Sequence, residues 1–90
     1  MDTSEAAAAE AQGKAPFFRL MVLQDLSLNG PSTADEIAER LKASPLTIRP
    51  RVSELRNAGQ ISDTGIRRIN AISGKQAAVW AITKGVKPHE

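Results

Sequence analysis

Cysteine and tyrosine are absent from this 90-residue sequence, histidine occurs once, at His89, and the aromatics are one tryptophan and two phenylalanines. Without thiols there is neither a disulfide framework nor a thiolate metal site. With the sole histidine in the tail, the commonest general base is missing from the patterned region, and no glycine-rich phosphate loop or metal-ligand spacing takes its place. The sequence thus predicts a protein that is not an enzyme and has no cofactor and no metal. No apolar run approaches the roughly 18 residues of a membrane span, and no basic stretch followed by an apolar one opens the chain. No membrane partner is expected, and the expected location is cytoplasmic. Scarce aromatics and a 41% apolar content call for one small, mostly aliphatic core.

The charges are present but unevenly spread. Acids crowd the first 39 residues, whereas from Arg40 to Lys87 ten bases face two acids, Glu54 and Asp63, a local balance of +8. A basic half on a small domain is the electrostatic footprint expected for a polyanion partner.

Residues 1–15 hold an alanine run and three acids with no apolar face, which predicts a disordered leader. A helix is expected from Pro16 to Leu28, with Phe17, Leu20, Met21, Leu23 and Leu28 near helical spacing and Gly30-Pro31 as the stop. Thr33 and Glu36 have the spacing of a capping box, which starts a second helix whose apolar stripe is Ala34, Ile37, Ala38 and Leu41. After Lys42-Ala43, Ser44-Pro45 reads as an N-cap followed by a first-turn proline, opening a third helix to about Ala58 with Gly59 as its stop. Ile48, Val52 and Leu55 form its buried stripe. Pro50 leaves two starts open: a helix from Pro45 with a proline inside it, or a regular helix beginning after a Thr47 cap. Beyond Gly59 the pattern becomes β-like, with strands near Ile61–Asn70 and Ala77–Thr83 around a Ser73-Gly74-Lys75 turn, and Gly65 suggests a bend or bulge. The predicted domain spans 16–84, and 85–90 forms a flexible tail.

In this order the stretch TADEIAERLKASPLTIRPRVSELRNAGQI, continued by TGIRRINAISGKQAAVWAI, resembles the winged helix-turn-helix superfamily, including MarR-like regulators and small phage or bacterial proteins. The resemblance rests on Ala38, the Ser44 cap, Ile48, Glu54-Leu55 and Gly59-Gln60-Ile61 and covers roughly residues 17–83. Lys42, where many such sequences carry glycine, and Pro50 depart from the pattern. The resemblance implies an α+β fold, three helices and a C-terminal two-stranded hairpin wing, and a function in transcription regulation through sequence-specific binding of double-stranded DNA.

On that reading the third helix (45–58) enters the major groove and the wing (61–83) meets the minor groove or the backbone. The face away from the buried stripe presents Pro45, Leu46, Arg49, Ser53 and Arg56, with Thr47 and Arg51 at its margins, and Arg49 is placed to meet a guanine edge or a phosphate. Ser44 is a cap that can also face a phosphate. Arg67, Arg68 and Lys75 form a second cluster on the wing, and strand alternation puts Arg67 and Arg68 on opposite faces. The plainer alternatives are arginines that are solvated or paired with Glu54, and hairpin charges that discourage strand pairing between molecules. Trp80 reads as core beneath the wing, or else as an aromatic exposed to stack on nucleic acid. Small regulators often dimerise, and the first helix with the two tails is the surface available for a homodimer. The rival function is a protein-protein interaction module, a subunit of a larger complex or an inhibitor of a host protein, with Leu46 and Ile66 as its candidate patch.

Overall fold

The computed structural model describes residues 13–70 and 73–83. The expectations for residues 1–12 of the leader, for the flexible tail and for the domain's last residue, 84, lie outside the described residues.

Among the described residues, three helices, α1 (Ala15–Asn29), α2 (Ala34–Leu41) and α3 (Pro45–Asn57), are followed by an antiparallel hairpin of β1 (Ile61–Ile69) and β2 (Gln76–Ile82). This is the expected α+β arrangement, consistent with a winged helix. Capping groups visible in the sequence delimit the helices. The Thr33 hydroxyl accepts from the Glu36 amide at 3.1 Å while the Glu36 carboxylate accepts from the Thr33 amide at 3.0 Å. Ser44 Oγ accepts from the Leu46 amide at 3.1 Å. At the far end of α3, Gly59 has φ 80° and donates to Arg56 O, and the Gln60 amide donates to Leu55 O, which is a Schellman closure. Lys42 closes α2 in the left-handed region at φ 57°, a conformation that costs a non-glycine residue roughly 1–2 kcal/mol.

The helix from Pro45 carries Pro50 in its interior, which settles the two starts left open. Proline at that place removes the helical partner of the Leu46 carbonyl, and Leu46 is one of the most exposed apolar residues, so water reaches that turn.

Val22 and Leu26 of α1, Ile37 and Ala38 of α2, Ile48, Val52 and Leu55 of α3 and Ile61 of β1 form one core. Phe18, Leu23, Trp80 and Ile82 pack against its margin, so Trp80 is a half-buried part of the core under the hairpin. The expected α1 stripe is corrected. Phe17, Leu20 and Leu28 are exposed, and the inward face runs through Phe18, Val22, Asp25 and Leu26. The leader boundary also moves, since Ala15 is buried and helical rather than disordered.

The hairpin register pairs Ile61 with Ile82 and Asp63 with Trp80, then resumes with Arg67 opposite Ala78. Thr64, Gly65 and Ile66 therefore stand against Val79 alone, the bulge expected at Gly65, whose φ is 88°. Side chains hold it: Thr64 Oγ1 donates to Val79 O at 2.9 Å, and the Gly65 amide donates to Asp63 Oδ1 at 2.8 Å. On its other edge β2 meets the α1–α2 connection, where Ser32 and Trp80 exchange both backbone hydrogen bonds at 2.9 and 2.7 Å.

Candidate nucleic-acid interface

One side of α3 is consumed by the core, so its chemistry lies on the other. Pro45, Leu46, Arg49, Ser53 and Arg56 are all exposed there, as the spacing predicts. Ser44 is exposed and serves as the cap. Two expected members are not on this face. Thr47 and Arg51 are each only 7% exposed: Arg51 lies three residues after Ile48 and four before Leu55, and Thr47 lies four before Arg51, so both fall on the inward side. Arg51 lies along the α1–α3 seam and donates from Nε and Nη2 to the two oxygens of Glu54 at 2.8 and 2.7 Å. Arg19 of α1 adds a third donor to Glu54 at 2.8 Å. Arg51 is thus a structural cation paired within α3, and the bond from Arg19 to the same carboxylate joins α1 to α3.

Glu54 takes its acidity from these neighbours. The Arg51 hydrogen bonds foremost, opposed by partial burial and aided by Arg19, hold its carboxyl down at about 2 against an ordinary 4.5. A depressed folded-state value contributes stability that is fully present above the ordinary value and lost as pH falls toward 2. A carbon-detected NMR titration should find the Glu54 midpoint far below those of exposed glutamates, and Arg51→Gln should return it toward 4.5. A midpoint near 4.5 in the unaltered protein would dissolve this three-residue link.

Arg49 and Arg68 meet acids from distant parts of the chain. Arg49 donates from Nε and Nη2 to the Asp35 carboxylate at 3.0 and 2.8 Å, so the Glu54 pairing considered for it is not the one formed. Asp35 also accepts from the Asn70 side chain at the end of β1. Arg68 reaches across from β1 to Glu36, while Arg67 folds back along its own strand onto Asp63, at 2.8 and 3.0 Å. The two wing arginines therefore diverge, as alternation requires. The Arg49 hydrogen bond keeps the Asp35 carboxyl below its ordinary range against the opposing effect of burial. Arg56 and Lys75 make no ion pair among the described residues.

Between α3 and the hairpin lies an open groove of about 460 Å³, lined among others by Asp35, Arg49, Ser53, Asn70, Lys75 and Trp80. The sequence reading did not include Asp35, Glu36 or Asn70 in the site. In the sequence Glu36 belongs to the capping box and Asp35 is one more acid beside it, and their arginine partners are 14 and 32 residues away.

No protein-family profile, curated protein or solved structure matches the chain. No helix among the described residues is long and apolar enough to cross a membrane.

Proposed function

We propose that this domain binds double-stranded DNA, as a small transcription regulator of the winged helix-turn-helix type, with α3 in the major groove and the hairpin against the minor groove or the backbone. The observation that carries the reading is the outer face of α3. Leu46, Arg49, Ser53 and Arg56 project from a helix whose opposite side is fixed by the core, and a major groove admits one such helix. Lys75 on the wing supplies a second cation beside it, one with no ion pair among the described residues. Nothing in the reading calls for catalysis or a cofactor, and the cytoplasm is where such a regulator would meet its DNA. The exposed Phe17, Leu20 and Leu28 on α1 support a homodimer built on that helix.

The test is fluorescence anisotropy of a labelled random-sequence duplex at low salt, with the unaltered chain and with Arg56→Ala and Lys75→Ala. The expected result is binding that each substitution weakens several-fold on every sequence, since a phosphate contact carries no sequence information. Absence of binding at low salt would reject the proposal. It would favour the protein-docking alternative, which the exposure of Leu46 (76%), Ile69 (64%) and Ile66 (57%) supports.

A further inference from the structure

Five arginines lie on α3 and the hairpin, and the atoms they commit to carboxylates differ. A guanidinium has five N–H donors in a fixed plane, and two parallel donors along one edge match either a carboxylate or the O6 and N7 atoms of guanine. Arg67 gives both terminal nitrogens to Asp63, so its end edge is occupied. Arg68 commits Nη1 to Glu36, and Arg51 is buried against Glu54. Arg56 has no carboxylate to fix it among the described residues. Arg67 and Arg68 also keep an Nε–Nη2 edge with no hydrogen bond among the described residues, but they stand on β1. On the outer face of α3, Arg49 is the arginine that a carboxylate fixes at one edge while another stays open: Asp35 holds its side edge through Nε and Nη2, the end edge formed by Nη1 and the second Nη2 proton has no partner among the described residues, and the side chain is 55% exposed.

We propose that Asp35 is a positioning residue that sets Arg49 to read a guanine in the major groove. The inference rests on the DNA-binding reading above and names the base contact within it. Two physical effects favour it. First, a long side chain already held at one edge has less rotamer freedom to lose when the other edge binds. Second, the Asp35 charge offsets that of Arg49, which weakens its attraction to a phosphate and leaves its donor geometry intact. The pair is thereby biased toward a neutral, directional acceptor over an anionic one. Asp35 is itself held between two elements, since Asn70 donates to it from the end of β1. The wing thus helps to fix the orientation of a side chain on α3.

Selection from a randomised duplex library with the full chain, followed by anisotropy on the enriched duplex, tests this. Unaltered protein should enrich a guanine whose replacement weakens binding roughly tenfold, and Asp35→Asn should cut that preference to about threefold or less. The Asp35→Asn protein should meanwhile bind random duplex at least as tightly as the unaltered chain, because a carboxylate close to the phosphates has been neutralised. Arg49→Lys, which leaves Asp35 in place and keeps the charge, should lose the same guanine preference and retain most of the random-duplex affinity. Circular dichroism of both variants separates lost folding from lost discrimination. An unchanged guanine preference in folded Asp35→Asn protein would overturn the inference and leave the DNA reading standing. A failure of the unaltered protein to bind any duplex would overturn both.

Discussion

Changing Arg40 to methionine should lower the melting temperature by roughly 10–20 °C, which corresponds to about 3 kcal/mol of a total stability of about 5–13 kcal/mol for a domain this size. The reason lies in Asp25, a carboxylate near the C-terminal end of α1 that is only 6% exposed. It sits where the helix dipole disfavours a negative charge, so it must be held by partners. Arg40 Nε donates to both of its oxygens at 3.0 and 3.1 Å, and Arg40 Nη2 reaches Asp25 Oδ2 and the buried Ser32 hydroxyl. Asn29 donates to Asp25 Oδ1 as well, at 3.0 Å. One guanidinium therefore ties α1, the α1–α2 connection and α2 together. Methionine in its place leaves a buried carboxylate without its cation, and that uncompensated charge accounts for most of the cost. The reverse change, Asp25→Leu, should cost less, because the Arg40 side chain is 36% exposed and can turn its charge into water. The double variant should recover most of the loss, since replacing a buried pair by apolar groups is often close to neutral. Thermal melts of the three variants at pH 7 measure this, and a loss below about 1 kcal/mol in Arg40→Met would mark the pair as an ordinary surface bridge.

The second large effect concerns salt. The ten bases from Arg40 to Lys87 suggest many phosphate contacts, but Arg49, Arg67 and Arg68 each have a carboxylate partner. Arg56, Lys75 and the exposed Lys42 have none among the described residues. If the pairs persist on DNA, about two to three phosphates are neutralised, which gives a log-log slope of about −2 to −3 and a loss of roughly 15- to 60-fold between 50 and 200 mM salt. Glu36→Gln should steepen the slope by about one, because it frees Arg68 while glutamine preserves the capping box. A slope of about −4 to −5 in the unaltered chain would mean that phosphates displace the carboxylates from their arginines. A slope near zero would remove the electrostatic basis of the reading altogether.

Much of the backbone could be read from short-range chemistry. Thr33-x-x-Glu36, Ser44-Pro45 and Gly59 act within a few residues of themselves, and the stripes Ile37-Ala38 and Ile48-Val52-Leu55 face one core because each helix has a single strongly apolar side. α1 has no such asymmetry. Phe17, Phe18, Leu20, Met21, Val22, Leu23, Leu26 and Leu28 cover most of its circumference, so period alone does not fix its phase. The side turned inward is the one that carries Val22, Asp25 and Leu26, where Asp25 meets Arg40 of α2. The exposed positions of the α3 face were legible for the same reason as the stripe they oppose. The matching of Arg49 to Asp35 and of Arg68 to Glu36 was not, because it depends on how α2, α3 and β1 come together and leaves no local periodicity.

The bulge at Thr64–Ile66 divides the hairpin into two short ladders with different anchorage. The inner one, Ile61–Asp63 with Trp80–Ile82, is tied to Ser32 on its free edge, and the Thr83 amide donates to Gln60 O at 3.1 Å. The outer one, Arg67–Ile69 with Gln76–Ala78, is tied to the helices through the side chains of Arg68 and Asn70. Thermal opening should therefore run inward from the turn, with the outer amides exchanging hydrogen early and the Trp80 amide persisting until the whole domain unfolds. A wing built this way has a root fixed to the core and a blade held to α2 by two side-chain bonds, so a change in its tilt would be felt first at Glu36 and Asp35 and only afterwards in the packing on which α3 rests.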